Sequence, residues 1–181
     1  MWELSDESLL TGMAAGDTET AAVFVRRYQA RVYGLAYALV GSSAIAEEVA
    51  QEAFLRAWRH AGAYDPRKGR AVTWLLTITR NLAVDAMRLR GDHPVDPHIL
   101  LNTLAGAERT AASPSYEDAE ELRAALRELP PEQSTPIVLS VYYGLTAGEI
   151  AEREHIPLGT AKTRLRRGLA KLREALGVTH D

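Results

Sequence analysis

Apolar residues recur along this chain at the three- and four-residue steps of a helix, and nowhere alternate at the two-residue step of a strand. Ser5 or Asp6 can cap a short helix that runs through Leu9, Leu10 and Met13 and ends at Gly16. Asp17 caps a longer one, in which Phe24, Tyr28, Val32, Leu35 and Leu39 form a single stripe. After the turn Gly41-Ser42-Ser43, a third helix opens on Ser42 or Ser43 and continues to about His60. Its inner face, Ala46, Val49, Ala50, Ala53 and Ala57, is narrow and small, which lets neighbouring helices approach closely. A fourth helix is predicted from about Val72 to Arg90, with Leu75, Ile78, Leu82, Ala86 and Leu89 inward. From Gly91 to about Ser115 the period dissolves among Pro94, Pro97 and Pro114; this reads as a linker with a short ordered turn at His98-Ile99-Leu100-Leu101. Helix returns from Tyr116 to Leu129, with Leu122, Ala125 and Leu129 inward, until Pro130-Pro131 stops it. The next helix carries Ile137, Val138, Val141 and Tyr142. Pro136 fits that helix as its first residue behind a Ser134 or Thr135 cap; placed deeper, it kinks the helix.

The last stretch, Leu145 to Leu176, has the most definite pattern. Thr146 and Glu149 stand at capping-box spacing, so a helix starts at Ala147 and buries Ile150 and Ala151. The period breaks at Glu154-His155-Ile156-Pro157 and resumes at Leu158. In the second helix Ala161, Leu165, Leu169, Leu172 and Leu176 make the apolar stripe, while Lys162, Thr163, Arg166 and Arg167 fall on the opposite side. Thr160 stands at the start of this helix, and Arg164 and Lys171 lie between the two faces, suited to phosphates flanking a groove. A lone basic helix is most simply a solvated surface. A capped partner helix and a short Pro-containing turn before it make a helix-turn-helix the better reading, with arginine able to meet guanine edges and threonine a base edge or a thymine methyl.

Charge qualifies that picture. The 181 residues carry a net charge of −3. That charge is unevenly spread: residues 1–90 sum to +1, 91–125 to −5, 126–157 to −3 and 158–181 to +4. A basic C-terminal helix is thus preceded by an acidic middle. The apolar fraction of 46% supports packed domains, and the length suits two modest ones. There is no cysteine, which excludes disulfides, thiol catalysis and cysteine-based zinc sites within the chain. No apolar run reaches membrane-spanning length and the first residues are acidic, so a cytoplasmic protein is expected.

Two further surfaces carry candidate chemistry. On the third helix Glu47, Glu48, Gln51, Glu52, Leu55 and Arg59 share the outward side, and an exposed leucine among acids suits docking to a basic helix of a partner. Between the third and fourth helices, Ala63 to Arg70 combines Tyr64 and Asp65 with the cations Arg67, Lys68 and Arg70. Cations beside a ring suit single-stranded nucleic acid, since phosphates meet the charges and an unstacked base meets the ring. Trp74, Asn81, Asp85 and Arg88 line one flank of the fourth helix, with Arg80 on another. Trp58 and Trp74 would by default be core, a default that Trp74's place beside the cationic loop weakens.

Catalysis finds no foothold. His60, His93, His98, His155 and His180 show no metal spacing, no nucleotide or nucleophile-elbow motif is present, and adjacent glutamates on a solvated face make a poor acid/base pair. No enzyme, metal or cofactor is expected.

The motifs AEEVAQEAFLRAW (46–58), TWLLTITRNLAVDAMR (73–88), LRELPPEQ (126–133) and GEIAEREHIPLGTAKTRLRRGLAKLRE (148–174) together resemble the extracytoplasmic-function group of bacterial RNA polymerase sigma factors. The resemblance implies an all-α protein of two small domains, a sigma-2-like helical bundle over 1–90 and a sigma-4-like helix-turn-helix domain over 116–181, joined by a flexible acidic linker over 91–115. It implies that Glu47, Glu48, Gln51, Glu52 and Leu55 dock on the coiled coil of the polymerase's largest subunit, with the flap as a second polymerase contact. Tyr64, Asp65, Arg67, Lys68, Arg70, Trp74, Arg80 and Asn81 would capture unstacked bases of the −10 element. Thr160, Lys162, Thr163, Arg164, Arg166, Arg167 and Lys171 would read or flank the −35 element, and an anti-sigma factor would control the whole. The chain departs from the family pattern at His155, where glycine is common, at Pro157, where serine often caps, and at Pro136. A stand-alone helix-turn-helix regulator, binding its duplex as a dimer, is the alternative.

Overall fold

The structure is a computed structural model that describes residues 4–94, 96, 99–104 and 116–177. These residues are helical or loop, with no strand among them. The chain forms two compact units, Met1–Asp92 and His93–Asp181. Among the described residues no helix is long and apolar enough to cross a membrane.

The first unit contains α1 (Asp6–Ala14), α2 (Thr18–Val40), α3 (Ser43–Arg59), a 3₁₀ turn (Ala61–Ala63) and α4 (Ala71–Arg90). Ser5 caps α1 by accepting from Ser8 N–H at 3.2 Å, and Asp17 caps α2 by accepting from Glu19 N–H at 2.9 Å. At the far end of α2, Gly41 turns the chain at φ +68°, a left-handed conformation open to glycine without a Cβ penalty. The expected stripe of α2 is buried throughout, from Phe24 to Leu39, and Ala46, Val49, Ala53 and Ala57 of α3 face the same core. Nine residues make too short a helix to persist alone, so α1 depends on burying Leu9, Leu10 and Met13, each contributing about 1.5–3 kcal/mol.

The inner face of α4 differs from expectation. Ala71, Val72 and Leu75 are buried, but beyond them Thr79, Ala83 and Met87 are the residues shut in, while Ile78, Leu82 and Ala86 are half-buried and Leu89 is 89% exposed. The buried row steps by four from Leu75, and α4 packs against both α2 and α3. Thr79 is tolerated because its hydroxyl donates to Leu75 C=O at 2.9 Å.

The second unit holds helix over 99–104 (α5), then α6 (Tyr116–Glu128), α7 (Pro131–Val141), α8 (Ala147–Glu154) and α9 (Leu158–Ala175). The ordered turn expected near Ile99 is α5 itself, with Leu100, Leu101 and Leu104 all buried; His98 lies outside the described residues. Nearby, Arg153 donates to Pro94 C=O at 3.2 Å. Of the inward residues expected on α6, Leu129 just past its end is buried, Leu122 and Ala125 only partly, and Leu126 and Arg123 are the more deeply buried. Arg123 is accommodated by Glu120, which accepts from its Nη2 at 3.0 Å and is held below the usual carboxylate range by that hydrogen bond.

Helix α7 corrects the expectation for Pro136. Neither Ser134 nor Thr135 caps; Pro131 occupies the first turn, where a missing N–H costs nothing, and Pro136 sits inside the helix and buried. The helix therefore forgoes the bond that an N–H at 136 would have made.

Candidate nucleic-acid interface

Helix α8 starts as its sequence dictates. Glu149 N–H donates to Thr146 Oγ1 at 3.2 Å, and Thr146 N–H donates to Glu149 Oε2 at 2.7 Å, completing the capping box. His155 then ends the helix at φ 53°, ψ 45°, the left-handed position where glycine is the easier residue. Pro157 precedes α9 in an extended conformation and supplies no side-chain cap.

Along α9 the stripe seats more unevenly than its leucines suggest. Ala161 and Leu172 are buried, Leu165 and Leu169 half-buried, and the third buried position is Gly168. A Cβ there would lie 2.8 Å from Ile137 Cδ1 and 3.1 Å from Gln133 C=O, so α9 meets α7 at a distance where any side chain larger than glycine's would force its neighbours to shift. This seating turns Lys162, Arg166, Arg167 and Lys171 to solvent, with Thr160, Thr163 and Arg164 partly covered. None of these cations makes an ion pair among the described residues. Five positive heads without internal partners leave their donors available to phosphate and base acceptors.

Beside them an open concavity of about 390 Å³ is lined by Thr160, Thr163, Arg164 and Arg167 from α9 and by Glu132 and Gln133 from α7. Gln133 Oε1 is itself buried, without a hydrogen-bond partner among the described residues. The sequence reading missed this second wall. Glu132 and Gln133 lie in a quoted motif, but only the tertiary contact at Gly168 shows that they face α9.

The loop of the first unit is arranged differently. Tyr64 leaves the 3₁₀ turn in an extended conformation and its ring meets Trp74, centroids 5.6 Å apart and planes at 56°. Its hydroxyl donates to Gly69 C=O at 3.0 Å, closing the loop. Arg67 donates from Nε and Nη2 to the two oxygens of Asp65, both at 3.0 Å, and its N–H also donates to Asp65 at 3.0 Å. Those bonds hold Asp65 below the usual carboxylate range and push Arg67 up. Burial pushes the Tyr64 phenol up, helped by the charges of Glu7 and Asp6. Lys68 projects into solvent, and Arg80 donates to Asn81 Oδ1 at 2.7 Å. Tyr64, Trp74, Asp65 and Arg67 are thus brought together; the exposed side chain of Asn81 follows two turns farther along α4.

On α3, Glu47, Glu48 and Gln51 are exposed as expected, and Leu55 is 48% exposed. Glu52 is partly engaged, accepting from Arg56 at 2.9 Å and lying 3.9 Å from Arg59. Trp58 departs from its core assignment. It is 38% exposed one turn beyond Leu55, so an indole extends the same face. Its spacing from Leu55 was the available signal, overridden by the tendency of tryptophan to be buried.

The family described as Sigma-70 region 2 matches residues 24–92, and that described as Sigma-70, region 4 matches residues 119–172. An ECF RNA polymerase sigma factor SigK from Mycolicibacterium vanbaalenii is 34% identical over 185 residues, covering 95% of this chain and 89% of the relative. One from Mycobacterium tuberculosis is 32% identical over 186 residues, covering 96% and 94% respectively. A solved RsbN–BldN complex includes a chain 25% identical, covering 91% of this one and 97% of its own length, at a TM-score of 0.40, too loose a likeness in shape to argue from.

Proposed function

Since the chain belongs to the ECF sigma factors of RNA polymerase, an initiation factor of transcription and not an enzyme, we propose that it divides promoter recognition between its two units. Helix α9 reads the −35 element through Lys162, Thr163, Arg166 and Arg167, with Thr160, Arg164 and Lys171 on flanking phosphates. The loop Tyr64–Arg70 and the face of α4 bearing Trp74, Arg80 and Asn81 capture unstacked −10 bases, so that binding energy offsets the cost of unstacking. Glu47, Glu48, Gln51, Glu52 and Leu55 on α3 dock on the polymerase's largest subunit. We assign residues 1–90 to docking and −10 capture and 116–181 to −35 reading. The protein acts in the cytoplasm under an anti-sigma partner.

The observation that carries this reading is the row of cations on α9 that make no ion pair among the described residues, seated outward by the contact at Gly168. Purified core polymerase supplied with this chain should give promoter-dependent transcripts that neither component yields alone. Leu55→Arg should abolish assembly with core, whereas Arg166→Ala with Arg167→Ala should retain assembly and lose −35 selection. Loss of core binding by the arginine variants would overturn the division of labour.

A further inference from the structure

The N-terminal helix α1 precedes the stretch that matches region 2, and neither candidate DNA surface includes it. It nevertheless packs against α2, α3 and the 3₁₀ turn from which the cationic loop departs. Leu9, Leu10 and Met13 share one core with Ala61, Ala71, Val72 and Leu75, and Tyr64 and Trp74 rest on that core from outside. A Cβ on Gly62 would stand 3.8 Å from Ala14 Cβ, in ordinary contact with the end of α1. At the other end of the helix, Asp6 accepts from Arg27 Nη1 at 2.6 Å and from the Tyr28 hydroxyl at 2.5 Å, while Arg27 Nη2 donates to Leu4 C=O at 2.8 Å. Burial and the Asp6 carboxylate push the Tyr28 phenol up, so it stays a donor to Asp6 at neutral pH.

We infer that α1 is the positioning element of the base-capturing loop: clamped to α2 through Asp6, Arg27 and Tyr28, it fixes the 3₁₀ turn and thereby the stance of Tyr64 against Trp74. This rests on the reading of that loop given above. The loop closes on itself through Tyr64 and Gly69 and through Asp65 and Arg67, but those bonds fix its shape and not its placement on the bundle. A loop placed before it meets DNA loses less freedom on binding, which is how a residue remote from the bases strengthens their capture. Asp6 and Arg27 act through other groups and are positioning residues.

The test uses the full chain with core polymerase on two templates, one fully paired and one mismatched across the −10 element so that unstacking is already accomplished. Asp6→Ala and Arg27→Met cut the same ion pair from opposite helices. Each should lower open-complex formation on the paired template, read by permanganate reactivity, about threefold to tenfold. Both should approach wild type on the mismatched template and retain core binding. Tyr64→Ala serves as the reference for the loop. Wild-type opening by both clamp variants beside a defective Tyr64→Ala overturns the role of α1 and leaves the loop reading intact. Wild-type opening by all three overturns the loop reading. Equal defects on both templates, or lost core binding, overturn positioning in favour of plain loss of fold.

Discussion

The two surfaces proposed to meet nucleic acid hold their cations in different ways. On α9 the cations Lys162, Arg164, Arg166, Arg167 and Lys171 have no acidic partner among the described residues, and a regular helix holds them. In the loop the most prominent cation, Arg67, is already bound through both ends of its guanidinium to Asp65, and the ring of Tyr64 is fixed at both hydroxyl and face. A duplex presents a regular lattice of phosphates and base edges, so a reader of it gains from unpaired charge at helical spacing. An unstacked base presents a flat face, so its receptor gains from a shaped aromatic platform, with a cation such as the exposed Lys68 beside it for the phosphate.

The contrast breaks most visibly if α9 is stripped. Replacing Arg166 and Arg167 with alanine should cost about 1–3 kcal/mol for each contact that reads a base, and competition between −35 sequences would show the lost discrimination. Opening of a template already mismatched at −10 should be unchanged. Next in size, Gly168→Ala should destabilise the second unit by about 1–3 kcal/mol, because its Cβ would meet Ile137 Cδ1 and the Gln133 carbonyl. Differential scanning calorimetry should show that loss with the first unit's transition in place. Asp65→Asn makes the loop resemble α9 by releasing Arg67. The slope of log affinity against log salt for a −10 single strand should steepen by roughly one counterion. A carboxyl lowered by its partner keeps the pair intact above the ordinary carboxylate range and loses it only as pH falls through the lowered value. The wild-type slope should therefore be the same at pH 6 and pH 8. The smallest effect is expected from His155→Gly, which relieves a left-handed φ and should stabilise the second unit by about 0.5–1 kcal/mol in thermal melts.

Local rules recovered most of the helices because capping and periodicity act within a few residues of chain. Asp17, Thr146 with Glu149, and the stripe from Phe24 to Leu39 are such cases. The departures arose where two helices had to agree. Thr79 and Ala83 are buried in place of larger neighbours on a helix packed against both α2 and α3, and Trp58 is 38% exposed. Pro136 escaped the capping rule because Pro131 had already started the helix. The outward cations and the aromatic loop were legible from spacing alone. The wall formed by Glu132 and Gln133, and the support of the loop by α1, depend on contacts between distant parts of the chain and leave no mark in a local pattern.

Gly168 also acts as a fulcrum. It is the buried point nearest Arg166 and Arg167, whereas Thr160 and Lys162 lie about two turns toward the start of α9, beside the buried Ala161. Bulk at this point would tilt the helix, shifting the reach of the two guanidinium groups and of the N-terminal residues in different directions. If α9 reads the −35 element as proposed, promoter preference is tunable from the inside: a change of one methyl group in the seat of the helix should alter which base pairs its unchanged outer side chains can touch.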